Sequence, residues 1–229
     1  MRDIDVLVVW LDLAIDPDDM DALGATLSVE ERARVARLAT DVLQRRTVVR
    51  LARRREVLGE LHGVQPGAVE LASDAQGRLV SRAARARLVV SSSSSNDIGL
   101  LAIASSRQLG ADVEATSEVL DAQRFTDRVA TPLEATALAA LDPDEHRNAL
   151  ARLWTRKEAY LKATGEGIGE GVTHVEVPLD EGVWNAAFQP LPDGPVWLLY
   201  DLACPIAGFA AALVVEPGAS PPEITITRR

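Results

Sequence analysis

The segment Trp154-Thr-Arg-Lys-Glu-Ala-Tyr-Leu-Lys-Ala-Thr-Gly-Glu-Gly-Ile168 reads as the last turns of a long helix that stops at glycine. Trp154, Glu158 and Lys162 recur every four residues and form one stripe, with Leu150, Leu153 and Leu161 on the adjoining core side. Gly165-Glu-Gly167 then supplies residues that readily take the left-handed cap. Some 40 residues upstream, Leu109-Gly-Ala-Asp-Val-Glu114 has the period of a strand instead. It sets Leu109, Ala111 and Val113 on one face and Asp112 and Glu114 on the other.

Around these two segments the second half reads as helices around Val119 to Arg128, Pro132 to Leu141 and His146 to Thr164, then strands near Val172 to Val177, Val196 to Tyr200 and Gly208 to Val215. The first half follows the same grammar. Ile4 to Leu13 is a strand, Ser28-Val-Glu-Glu is a capping box opening a helix, and Asp41 to Leu61 is a second helix ending near Gly63. After the Gln65-Pro-Gly break, Ala68 to Ala72 and Leu88 to Val90 read as short strands flanking an Arg-rich connection, and Ile98 to Ala104 as another. The expectation is an α+β chain of two similar lobes, residues 1–105 and 106–229, each a small antiparallel sheet packed with helices. Ser91 to Ser95 with Asn96-Asp97 is open to two readings, a solvated loop or a phosphate-contacting turn. Beyond Glu216 the tail is either a loose end or an edge strand.

Composition narrows the class. The 229 residues carry 24 Lys+Arg against 34 Asp+Glu, a formal charge of −10, and one cysteine, Cys204. That excludes an internally disulfide-stapled scaffold. No apolar run approaches the roughly 20 residues that span a bilayer, and Met1-Arg-Asp-Ile-Asp lacks a secretion signal, so a cytoplasmic protein with no membrane partner is expected. The acidic balance argues against nucleic-acid binding. Locally the charge reverses: nine of the 22 Arg fall between Arg32 and Arg55, where Asp41 is the sole acid, so one face of the first half reads as basic. Only two lysines occur, Lys157 and Lys162. A chain that otherwise uses Arg keeps ammonium groups there either by chance or for a compact charge with a tunable pKa.

Asp112 and Glu114 side by side suit a hard cation such as Mg²⁺ sharing its shell with a phosphate, or else are the polar face of an exposed strand. Glu158 and Lys162 are an ordinary helical pair worth about 0.3–0.5 kcal/mol, or else a further metal ligand or base and a phosphate-facing cation. G-x-x-x-x-G-K-[ST], G-x-G-x-x-G and H-E-x-x-H are absent. His62, His146 and His174 pair with no nucleophile motif, and Cys204 beside Pro205 reads as buried rather than reactive.

The two motifs together resemble the 4′-phosphopantetheinyl transferases of the surfactin-synthetase activating type, which carry a G-x-D-x-E strand and a W-x-x-K-E-(x)-x-x-K helix ending in G-x-G. The match spans roughly Ser28 to Val177, and Ser28-Val-Glu-Glu-Arg-Ala-Arg and Gln44-Arg-Arg-Thr resemble the family's basic N-terminal helices. The resemblance implies two α+β lobes related by a pseudo-twofold axis, with coenzyme A in the cleft between them. It also implies transfer of the phosphopantetheine arm to a serine of an acyl or peptidyl carrier protein, releasing 3′,5′-adenosine bisphosphate, as in secondary metabolite biosynthesis. Asp112, Glu114 and Glu158 would hold Mg²⁺, Glu158 would deprotonate the carrier serine, and Lys162 would neutralise the pyrophosphate. Arg34, Arg46 and Arg78 match positions that meet phosphates. Where the family has a Ser-His pair on the 3′-phosphate this chain has Ser91 and Ser92, which implies weaker binding there. Two lobes in one chain imply that a monomer suffices. Alternatives are a relative that binds coenzyme A but has been repurposed or lost transfer, and a non-enzymatic interaction module.

Overall fold

The computed structural model of the chain describes residues 5–14, 19–83, 86–118, 122–167 and 170–229. The strand start at Ile4, the helix start at Val119, Ile168 of the helical motif and Ala84-Arg85 of the Arg-rich connection lie outside the described residues.

The first half contains β1 (Val6–Asp12), α1 (Met20–Ala25), α2 (Val29–Val35), α3 (Asp41–His62), β2 (Glu70–Ser73), β3 (Leu79–Ala83), β4 (Ala86–Ser95) and β5 (Ile98–Ala104). The second contains β6 (Leu109–Ala115), α4 (Ala122–Val129), α5 (Pro132–Ala139), α6 (Pro143–Thr164), β7 (Trp184–Phe188), β8 (Trp197–Asp201), β9 (Phe209–Val215) and β10 (Ile224–Arg228). They form a six-stranded sheet ordered β10-β1-β5-β4-β3-β2 and a four-stranded sheet ordered β6-β9-β8-β7. In both, the opening strand lies beside the last strand of a meander: β1 beside β5-β4-β3, and β6 beside β9-β8-β7. Between opening strand and meander each half has a 22-residue helix, α3 or α6, closed by a left-handed glycine, Gly63 at φ 70° or Gly165 at φ 84°.

Alternation along the strands builds three apolar layers. The inner faces of the two sheets meet through Val6, Val8, Trp10, Leu100, Val113 and Leu213. The outer face of the first sheet packs on the helices through Val9, Leu11, Leu101, Val49 and Leu58. The outer face of the second packs on α6, where Leu150, Leu153 and Leu161 are fully buried as their spacing requires. No helix among the described residues is long and apolar enough to cross a membrane.

In both halves a capping-box glutamate is paired with buried cations. Ser28 caps α2, and its capping-box partner Glu31 receives Arg55 at 2.6 Å and Arg54 at 2.7 Å. Thr131 caps α5 in the same way, and its partner Glu134 receives Lys157 at 2.6 Å. Arg55 also donates to the carbonyls of Pro66 and Val69, Lys157 to those of Val129 and Val172. Lys157 is thus fully buried and holds loops to a helix, and the expected basic face is partly turned inward.

Several expectations are corrected. Ser91 to Ser95 is neither loop nor turn but the end of β4. Val172 to Val177 is not a strand: residues Glu170–His174 form a 3₁₀ turn, and the polar backbone that follows is taken by other partners, Val177 N–H donating to Glu134 and Glu176 N–H to the carbonyl of Pro190. The connection after Ala72 contains β3. Neither sheet was expected to be mixed, yet the tail forms β10, parallel to β1 from Val6↔Ile224 to Trp10↔Arg228, which covers the edge β1 would otherwise expose. Cys204 is half-buried rather than buried.

Candidate active site

Strand β6 is an edge of its sheet, so one row of its backbone groups has no strand partner. The serines of β4 meet that row. Ala111 N–H donates to Ser91 Oγ and Ala115 N–H to Ser95 Oγ, each at 3.0 Å, while Ser93 Oγ donates to Asp112 Oδ1 at 2.6 Å. The period of two sends the odd serines to β6 and leaves Ser92 and Ser94 on the opposite face. The run therefore joins the two sheets.

On its other side β6 carries α6 at unusually close range. A Cβ on Gly110 would lie 2.0 Å from the carbonyl oxygen of Ala159 and 2.9 Å from Lys162 Cβ, so only glycine lets the helix pack there. That approach brings Lys162 Nζ to 2.5 Å from Asp112 Oδ1 and 3.1 Å from Glu158 Oε2. Asp112 is not on an exposed strand face; it is fully buried and Glu158 is nearly so. Burial, partly countered by Lys162 and reinforced by Glu158, pushes the Asp112 carboxyl up to about 6. Burial also disfavours the Lys162 ammonium, but Asp112 and Glu158 more than offset it and hold Lys162 above its ordinary range. Asp112 Oδ2 is buried with no hydrogen-bond partner.

Glu114 stands on the same face of β6 as Asp112 and is half-buried. Among the described residues no group of three or more His, Cys, Asp or Glu is gathered as a metal cluster, and Asp112 and Glu158 meet across Lys162. The donor set nonetheless suits a hard cation: oxygen ligands throughout, one of them buried without a partner.

A cavity of about 380 Å³ opens beside this constellation. The β3–β4 ladder stops at Val80↔Val89, so β4 has no strand on that side from Val90 onward, and Val90, Ser91 and Ser92 line the cavity. Arg34, Arg78 and Lys162 also line it. Asp74 orients Arg78, accepting Nε at 2.9 Å. The cap of α6 sits on the same turn: a Cβ on Gly165 would meet the carbonyl oxygen of Gln76 at 2.2 Å. Arg46 is not brought here; it pairs with Asp97 at 2.7 Å. Sequence reasoning missed Arg50 and Arg54, which line the cavity from α3. Their spacing of four on one helical face was the available signal.

The chain is thus an α+β protein in which a carboxylate–ammonium cluster adjoins a cavity lined by cations, an arrangement that suits an anionic ligand. Residues 108–214 match the 4′-phosphopantetheinyl transferase superfamily. The 4′-phosphopantetheinyl transferase HetI of Nostoc sp. is 33% identical over 199 residues, covering 82% of this chain and 81% of its own. The protein slr0495 of Synechocystis sp. is 30% identical over 187 residues, 81% and 74% of the two chains. The holo-[acyl-carrier-protein] synthase of Oenococcus oeni is 39% identical over 82 residues, 33% of this chain and 63% of its own. The chain belongs to the 4′-phosphopantetheinyl transferase superfamily, transferases that use coenzyme A and act on carrier proteins.

Proposed function

We propose that this protein transfers the 4′-phosphopantetheine arm of coenzyme A to a serine hydroxyl of an acyl or peptidyl carrier protein, in the manner of the surfactin-synthetase activating type. The carrier serine oxygen bonds to the β-phosphorus of coenzyme A, and the P–O bond to 3′,5′-adenosine bisphosphate breaks. The observation that carries this is the convergence of Asp112 and Glu158 on Lys162, which itself lines a cavity faced by guanidinium groups.

Glu158 takes the proton of the carrier serine, directly or through a water, and Lys162 neutralises charge on the pyrophosphate. Lys162 is suited to this because the two carboxylates beside it keep it charged. Asp112, Glu114 and Glu158 are the residues that would hold Mg²⁺, which when bound supplies charge neutralisation for the pyrophosphate. Arg34 and Arg78 bind the phosphates, and Ser91 and Ser92 form the adjoining wall. Arg46, tied to Asp97, would serve only after exchanging that partner. The repeated strand order and the paired 22-residue helices support two lobes, residues 1–105 and 106–229, related by an approximate twofold axis, with β10 crossing to the first sheet. With the site contained in one chain, we take the working unit to be a cytoplasmic monomer.

Intact-mass spectrometry of apo carrier proteins incubated with this protein and coenzyme A, with and without Mg²⁺, tests the reading. A metal-dependent gain of one phosphopantetheine arm is expected. Carriers left at their apo mass, despite a folded enzyme, would contradict it.

A further inference from the structure

The cavity beside Lys162 has a counterpart in the second half of the chain. Arg50 and Arg152 occupy the same position of the two 22-residue helices, as do Arg54 and Arg156, and Arg55 and Lys157. Just as β4 runs on beyond its last pair with β3, Val80↔Val89, β8 runs on beyond its last pair with β7, Trp184↔Tyr200. There Asp201 and Leu202 of β8, Asn148 and Arg152 of α6, and Phe209 and Ala210 of β9 line a cavity of about 470 Å³. Arg156 is fully engaged, donating to both carboxylate oxygens of Asp201 and to the carbonyls of Pro178 and Asp180. Asp201 is spent in turn on Arg156 and on the Val183 N–H. Arg152 is not: its one ion-pair partner among the described residues is Glu181, met by Nη1 at 2.6 Å, and the Glu181 side chain is 75% exposed. Arg152 Nε is buried with no hydrogen-bond partner, and the exposed Asn148 side chain has none among the described residues.

We infer that this cavity is a second ligand site, for a small organic carboxylate whose charged end takes Arg152 Nε and the Asn148 amide and whose apolar body lies on Leu202, Phe209 and Ala210. The inference is independent of the coenzyme A reading above. A guanidinium edge offers two parallel N–H donors that match the two oxygens of a carboxylate. A buried N–H left unpaired is costly, and an acceptor there recovers that cost. An ion pair with so exposed a partner as Glu181 holds Arg152 weakly, so the guanidinium can turn its Nε edge to a ligand. A phosphomonoester suits the site less, because its second charge would face the carboxylates of Asp201 and Glu181 with only Arg152 to receive it.

Hexanoate, hexanamide and inorganic phosphate are the probes, each titrated into the whole protein with and without saturating coenzyme A and followed by nitrogen–proton NMR. Hexanoate should bind saturably, shift the backbone signals of Phe209 and Ala210, and bind equally well in the presence of coenzyme A. Hexanamide, of the same shape but uncharged, and phosphate should each bind about tenfold more weakly or worse, the worth of a charge-assisted hydrogen bond. Arg152→Gln should weaken hexanoate about tenfold and leave coenzyme A binding unchanged. Asn148→Ala, at an exposed position, should weaken it about threefold and keeps the test decisive if the Arg152 variant does not fold. Hexanoate that fails to saturate, is displaced by coenzyme A, or binds no better than hexanamide or phosphate overturns the inference. So does a hexanoate affinity unchanged in Asn148→Ala or in a folded Arg152→Gln variant. Each of these failures leaves the transfer reading intact, since none of them measures loading of a carrier.

Discussion

Gly110 and Ala159 meet backbone to backbone, with room for no side chain between them: a Cβ on Gly110 would stand 2.0 Å from the Ala159 carbonyl oxygen and 2.5 Å from the Ala163 nitrogen. This contact sets how close α6 lies to β6, and so whether Glu158 and Lys162 reach Asp112. Gly110→Ala should therefore push the helix out, lower stability by about 1–3 kcal/mol or more, and cost transfer about 100-fold through misplacement alone. Urea unfolding and kcat/KM check the two parts; unchanged activity would show that the contact does not set the site.

The serine run makes an independent prediction. Ser91 and Ser95 satisfy the N–H groups of Ala111 and Ala115 in a buried seam, so Ser91→Ala and Ser95→Ala should each cost about 1–3 kcal/mol in chemical unfolding. Ser94 is exposed on the other face, and Ser94→Ala should change stability by less than about 0.5 kcal/mol. Equal effects at all three positions would refute the role of the odd-numbered serines in joining β4 to β6.

Much of this was legible beforehand, for physical reasons that can be named. The capping box at Ser28 and Glu31 needs only four consecutive residues, and it forms as read. Alternation placed Asp112 opposite Ala111 and Val113, and four-residue spacing paired Glu158 with Lys162. The serine run was misread because hydroxyl side chains look solvated when their partner is distant in sequence: here the partner is an edge strand about 20 residues on. The seat of Lys157 is non-local for a similar reason. Its partner Glu134 lies 23 positions earlier in a second capping box, Thr131-Pro-Leu-Glu134, whose pattern matches the first.

Acid should weaken the first half through Glu31. Burial opposes its charge, but the Ser28 N–H and Arg55, aided by Arg54, more than compensate and hold the carboxyl below its ordinary value. Between the folded and unfolded pKa values the unfolded chain binds more protons, so this stabilisation is complete above the ordinary carboxylate range and is lost as pH falls through the folded value. Glu31→Gln should accordingly lower Tm at pH 7 and flatten its decline from about pH 5 to about pH 3. Wild-type and variant curves that stay parallel across that range would rule out the contribution.

The most direct test of the central claim is intact-mass loading of an apo carrier by wild type and Glu158→Gln, beside calorimetric coenzyme A binding and thermal unfolding of both. The carboxamide keeps the shape of a nearly buried side chain and removes its charge and basicity. The account predicts loading slowed about 100-fold or more, with folding preserved and coenzyme A still bound. Loading at the wild-type rate would contradict it, and would remove Glu158 from the chemistry.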